Sequence, residues 1–167
     1  LELFDDLIRA PLLFIGNGVK KSKKISEQTR HVDIFPTIYE LIGEKITDSS
    51  IDGRSNVPLI ENQESDELPV YIETGSKNPR ETGKVIGIRT SNYKYFRSRN
   101  NPQENVNLYD LRNDPTEENN IHDNSIIKKM EDILLDIISK SKSSEENKIT
   151  DEEAKKLEEE LRKMGYV

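Results

Sequence analysis

The stretch KVIGIRTSNYKYFRS, residues 84–98, decides how the fold is read. Two runs rich in β-branched and aromatic residues, IGIRT and YKYFR, flank Ser91-Asn92. Such runs around a short polar pair predict an antiparallel hairpin. Ser-Asn lacks the left-handed preference of Asn-Gly, so the turn residues alone do not pin the register. PVYIET (69–74) precedes the hairpin and NVNLYDL (105–111) follows it. Strands this close in sequence are most simply joined as an antiparallel sheet of three or four. Beyond them Ile126, Met130, Ile133, Leu134, Ile137 and Ile138 recur at helical spacing, which predicts an amphipathic helix covering one face of that sheet.

Upstream the pattern changes. Leu1, Phe4, Leu7 and Ile8 have helical spacing, and Pro11 ends that helix. PLLFIGNG (11–18) reads as a short apolar strand closed by a Gly-Asn-Gly turn, of the kind buried on both faces of a parallel sheet. In HVDIFPTIYELIG (31–43), Val32, Phe35, Ile38, Tyr39 and Ile42 fall on one helical face. Asp33 is the expected N-cap, Pro36 sits in the first turn and Gly43 is the C-cap. The expected class is therefore α/β, with an α+β arrangement within this chain. It comprises the edge of an α/β core over 1–62 (helix–strand–helix and loop), a small antiparallel sheet with its helix over 63–142, and a polar linker with a charged helix over 143–167. SKSKSSEENK (139–148) is read as that linker. Thr150 and Glu153 form a capping box for a final helix striped by Ala154, Leu157, Leu161 and Met164.

Composition narrows the function. Hydrophobic residues make up 32% and charged residues 34% of the 167 residues, which is lean for a self-sufficient core. The net charge of -7 argues against nucleic acid, whose phosphates call for a basic face, and against anionic membrane surfaces. The longest apolar run, residues 11–15, is far short of a membrane span. The absence of cysteine excludes disulfides, thiolate nucleophiles and zinc–thiolate sites within the chain. The chain opens on Leu1 with no signal-peptide pattern, as expected of a segment beginning partway through a longer protein.

Four stretches, in this order, resemble the C-terminal part of a sulfatase of the alkaline phosphatase superfamily: LFDDLIRAPLLFIGNGV (3–19), HVDIFPTIYELIG (31–43) followed by IDGRSNVPLI (51–60), IGIRTSNYKYF (86–96) and LYDLRNDPTEENNI (108–121). They are similar to that family's acid–…–Arg–x–Pro helix and strand, its Asp–x–x–Pro–Thr helix with Asp-Gly-Arg-Ser loop, its Arg-Thr–x–x–Tyr-Lys-Tyr hairpin, and its Leu-Tyr-Asp-Leu–x–x–Asp-Pro stretch. The resemblance covers about residues 1–125, and the ending LEEELRKMGYV is similar to the Leu-Gly-Tyr terminus of some members. It implies the edge of an alkaline-phosphatase-like α/β sandwich plus a C-terminal subdomain. It also implies a parent enzyme that cleaves sulfate esters with a formylglycine nucleophile and a divalent cation, usually calcium.

The motifs such an enzyme needs are not in this sequence. No Cys or Ser stands in Cys/Ser-x-Pro-x-Arg, and no Asp-Asn/His-Gly segment occurs. The chain alone is therefore expected to be inactive, to carry no cofactor, and to have as its partner the N-terminal catalytic part of the parent. A strand left without neighbours offers an edge to a second copy, so a homodimer through 11–15 is also an expectation. No catalytic or metal-ligating residue is assigned. Arg9 and His31 are the candidates for lying near a substrate. The alternative for Arg9 is pairing with a helix dipole or an acid; for His31 it is a surface role. His122 is read as solvated, Asp33 and Asp52 as caps and turn formers, Lys94 and Arg97 as a solvated strand face, and Glu117 and Glu118 as opening a helix. Asp5 and Asp6, one residue apart on a helix, do not face each other. Two other readings stay open. One is a phosphodiesterase, phosphonate hydrolase or phosphoglycol transferase of the same superfamily; the other is a stand-alone, non-catalytic interaction module.

Overall fold

A computed structural model describes residues 3–16, 19, 23–47, 51–63, 65–74, 84–143 and 162. Four strands, β1 (Val70–Glu73), β2 (Val85–Arg89), β3 (Tyr93–Ser98) and β4 (Asn107–Asp110), form an antiparallel meander in the order β1-β2-β3-β4. The hairpin register runs from Val85 opposite Ser98 to Arg89 opposite Lys94, leaving Ser91-Asn92 in the turn as predicted. Side chains fix the register that weak turn chemistry leaves loose. The Thr90 hydroxyl accepts from Tyr93 N (3.0 Å), Thr90 N donates to Tyr93 O (2.8 Å), and the Glu67 carboxylate accepts from Ser91 N (2.6 Å). Gly87 lies opposite Phe96, and a Cβ there would sit 2.3 Å from Tyr95 O. Only a residue without a side chain allows that approach.

Strand alternation gives the sheet two buried faces. Ile86, Ile88, Tyr95 and Leu108 line one. Against it lies the first half of the long helix α4 (Asn124–Ser143), which buries Met130 and Leu134 and meets the sheet through Glu131. Ile72, Phe96 and Tyr109 line the other, with Leu111, Leu3, Phe4 and Ile8 packed against them. The Phe4 ring stands edge-on to Phe96 (6.0 Å, 88°) and to Tyr109 (5.9 Å, 66°). Each such side chain contributes about 1.5–3 kcal/mol on burial. This second face is covered by the segment that ends in the one-turn helix α1 (Asp5–Ile8).

Between α1 and the sheet's first strand the chain forms a 3₁₀ turn (His31–Asp33) leading into α2 (Ile34–Leu41), and then α3 (Val57–Ile60). Pro36 is buried in the first turn of α2. Gly43 ends the helix at φ +87°, with Gly43 N donating to Glu40 O (3.0 Å) and Glu44 N to Tyr39 O (3.0 Å), the paired bonds of a glycine C-cap. The predicted strand at 11–15 is not formed. These residues have no ladder partner, and Leu12, Leu13 and Ile15 are 43%, 78% and 86% exposed. A strand needs a neighbour for its backbone groups, and the four described strands pair only with one another. Val32, Phe35, Ile38 and Ile42 of the predicted apolar helix face are likewise exposed, at 46–67%.

The helix predicted to open at Glu117 is also absent. Glu117 is buried and left-handed (φ 57°), in a turn where the Asp114 carboxylate accepts from Glu118 N (3.1 Å) and Asn119 N (2.7 Å). α4 instead starts where Asp123 Oδ1 accepts from Ser125 N (2.9 Å) and Ile126 N (3.1 Å).

The chain divides into two compact units, Leu1–Leu135 and Asp136–Val167. In the second, α4 runs on to Ser143, into the stretch read as linker, with an exposed Lys140–Asp136 ion pair at 2.6 Å. The Thr150/Glu153 capping box and the apolar stripe after it lie outside the described residues. Among the described residues no helix is long and apolar enough to cross a membrane.

Candidate functional site

The four sequence stretches singled out above meet at two junctions. The first lies between α1, the β2–β3 hairpin and the turn after β4. Lys94, at 0% exposure, donates from its ammonium to Leu3 O (2.9 Å) and forms ion pairs with Asp5 Oδ1 (2.6 Å) and Glu117 Oε1 (2.5 Å). Glu117 Oε2 accepts from Asp5 N (2.6 Å). Arg89 grips Asp5 with Nε on Oδ1 (3.0 Å) and Nη2 on Oδ2 (2.7 Å), and its other nitrogen donates to Gln28 Oε1. Two cations and two carboxylates are thus balanced under the aromatic face. Burial pushes the Asp5 carboxyl pKa upward, but hydrogen bonds and charge from Arg89 and Lys94 win and hold it at about 2.

The second junction joins the Asp–x–x–Pro–Thr helix to the Asp-Gly-Arg-Ser loop. The buried Asp33 carboxylate does not cap α2. It accepts from Arg30 N (3.1 Å), pairs with the Arg30 guanidinium (2.6 Å), and accepts from Arg54 N (2.9 Å). Burial raises its pKa less than these donors lower it. The Thr37 hydroxyl donates to Asp33 O (2.6 Å) and accepts from Asn56 N (2.9 Å). A Cβ on Gly53 would lie 1.9 Å from Val32 O, so the loop can close on the helix only with glycine there.

A third polar group ties α4 to the sheet. Glu131 accepts from Tyr95 Oη (2.8 Å) and pairs with Arg97 (2.6 Å). Burial, with Glu131 beside it, pushes the Tyr95 phenol well up. Burial works against the Glu131 carboxylate, and the Arg97 and Tyr95 donors hold its pKa down.

Arg9 caps the C-terminus of α1 through its backbone N–H on Asp5 O (2.9 Å), and His31 opens the 3₁₀ turn. Both side chains are exposed, and among the described residues no contact brings the two together. Lys94 and Arg97, read as a solvated strand face, are both buried and paired. The signal for Lys94 was present in the sequence. It sits two residues before Phe96, so alternation puts it on the same apolar face, and a cation there requires a carboxylate.

The buried carboxylates do not suit a hard cation. Asp5, Asp33, Glu117 and Glu131 are each engaged by cationic side chains, and among the described residues no three acidic or histidine groups converge as ligands. Alongside these junctions lies an open apolar surface. Ile38 and Leu41 of α2, Ile42 directly after it, and Phe14, Ile15 and Val19 line a shallow groove of about 250 Å³.

Comparison with known proteins gives these junctions a family. The model for the C-terminal part of N-sulphoglucosamine sulphohydrolase matches residues 2–163. Arylsulfatase K of Danio rerio is 37% identical over 60 residues, which are 36% of this chain and 11% of that protein. Arylsulfatase K of Gallus gallus is 24% identical over 117 residues, 66% of this chain and 22% of that one. A crystal structure of a protein assigned as a sulfatase from Bacteroides thetaiotaomicron superposes with a TM-score of 0.71 at 25% identity, covering 85% of this chain and 32% of that one. The chain thus spans well under half of these relatives. With its motifs in family order, its sheet-and-helix subdomain and a match across nearly its full length, the chain belongs to the C-terminal family of N-sulphoglucosamine sulphohydrolase, a C-terminal sulfatase portion.

Proposed function

We propose that this chain is the C-terminal part of a hydrolase of sulfate esters and has no turnover by itself. The family match over residues 2–163 carries this reading. Residues 1–62 supply an edge of the parent's α/β core, and 63–142 form the subdomain that closes one side of the substrate cleft. The open apolar surface of Leu13, Ile15, Phe35 and Ile42 supports this division, because monomeric proteins seldom leave such patches uncovered. Its partner is the N-terminal catalytic part. A formylglycine hydrate and calcium, both held by that part, supply the nucleophile and the charge stabilisation. Arg9 and His31, both exposed, face the substrate on this reading.

The test is hydrolysis of 4-nitrophenyl sulfate by the full-length protein and by the 167-residue chain. Turnover by the first and none by the second is expected. Preference for a phosphonate monoester or a phosphodiester would move the parent to a phosphoryl-transfer branch. A cooperatively folded, monodisperse 167-residue chain whose removal leaves the catalytic part fully active would make it an independent module. A concentration-dependent dimer that disperses on Leu13→Asp would show that 11–15 pairs with a second copy.

A further inference from the structure

We propose that the Asp5–Arg89–Lys94–Glu117 network is a positioning latch, which fixes the backbone of residues 3–5 to the β2–β3 hairpin and so sets where the preceding chain joins this unit. The contacts single out backbone atoms. Lys94 donates to Leu3 O and Glu117 accepts from Asp5 N, across 91 and 112 residues of sequence. Apolar packing of Phe4 on Phe96 and Tyr109 attracts the segment but is non-directional, and it tolerates sliding. Hydrogen bonds from a fully buried ammonium do not.

Two further features separate a latch from simple stabilisation. Buried ion pairs seldom add stability over well-packed apolar residues. Glu117 also holds a left-handed backbone (φ 57°) that a non-glycine residue adopts at a cost, and in that conformation its two oxygens reach Lys94 and Asp5 N. The Lys94 ammonium holds Leu3 O by a hydrogen bond and two carboxylates by charge, and Glu117 holds Asp5 N, so a one-residue slip of α1 would break the set. Lys94 and Glu117 act through the backbone of residues 3–5 and are positioning residues. That they thereby align the sulfate-ester site rests on the reading proposed above.

The test uses the full-length protein carrying Lys94→Met and the double variant Lys94→Met/Glu117→Gln. The double variant removes the orphaned buried charge and leaves the Asp5–Arg89 pair, so it keeps the fold. Hydrogen exchange at Leu7 and Arg9, whose amides close α1, is expected to speed up about tenfold or more in the double variant, with β3 amides unchanged. On 4-nitrophenyl sulfate, kcat is expected to fall roughly tenfold or more, with KM within about twofold. Unchanged exchange in α1 overturns the latch. Faster exchange with unchanged kcat overturns its positioning role. If the unmodified protein does not hydrolyse the sulfate ester, the functional reading fails, and the exchange measurement still decides the latch.

Discussion

Asp5 gives the clearest quantitative expectation. Its side chain is 12% exposed, bidentate to Arg89 and in contact with Lys94, and its carboxyl pKa drops from an ordinary 3.8 to about 2. A depressed folded-state value means that the folded state favours the ionised form. The resulting stability is present above the unfolded pKa and is lost as pH falls through the folded one. The gap is worth about 2 kcal/mol at neutral pH, and about 1 kcal/mol of it is gone by about pH 3. Asp33, Asp114, Asp123 and Glu131 shift in the same direction, so acid sensitivity alone does not isolate Asp5. Asp5→Asn does. At pH 7 this variant should lose about 2–3 kcal/mol, because Lys94 and Arg89 keep only their other acceptors. Between pH 7 and pH 3 its stability should fall about 1 kcal/mol less than that of the unmodified chain. Urea titrations followed by far-UV circular dichroism at several pH values measure both. If the two stability curves run parallel across that range, the Arg89–Lys94 cradle does not control the Asp5 proton and the electrostatic account fails.

Further expectations follow from single contacts. Gly53→Ala places a Cβ 1.9 Å from Val32 O and should destabilise the chain by about 2–4 kcal/mol, read from the urea midpoint. Gly87→Ala meets Tyr95 O at 2.3 Å and should cost about as much, with amide exchange rising across the β2–β3 ladder. Tyr95→Phe removes only the hydroxyl on Glu131, leaves Arg97 as its partner, and should cost about 1 kcal/mol by the same titration. Arg9→Ala and His31→Ala, both at exposed positions, should leave stability within about 0.5 kcal/mol. In the full-length protein the same changes should raise KM for a sulfated substrate more than they lower kcat.

The small sheet was legible because its rules are local. Alternation, turn residues and the short spacing of VYIE, VIGIR, YKYFRS and NLYD dictate a meander, and that meander formed. Helix α2 and its Gly43 cap were legible for the same reason. Residues 11–15 were misread in conformation because an apolar run specifies burial without saying what does the burying. Leu13 and Ile15 stand open in this chain for lack of neighbours, whatever their side chains favour. Glu117 was misread because helix preference is a weak local bias. It yields to a buried ammonium 23 positions earlier in the chain, a partner that no window of neighbouring residues contains.

The same distinction explains why the resemblance was easier to read than any site. The residues that carry it, Asp5, Asp33, Thr37, Gly53, Arg89, Lys94 and Glu117, are joints. Each has a geometric requirement set by a particular partner: a carboxylate for a buried cation, a hydroxyl bridging a helix carbonyl and a loop amide, a glycine where a carbonyl leaves no room for a Cβ. Such requirements restrict residue type as tightly as chemistry does, so a joint can be as characteristic of a family as a nucleophile. Engagement separates the two kinds of residue. A group that binds substrate or metal must face an open space, whereas the Asp5, Asp33 and Glu117 carboxylates and the Lys94 ammonium are turned inward onto charged partners within the chain. Arg9 and His31 are exposed and uncommitted, so they retain the freedom that a substrate contact needs.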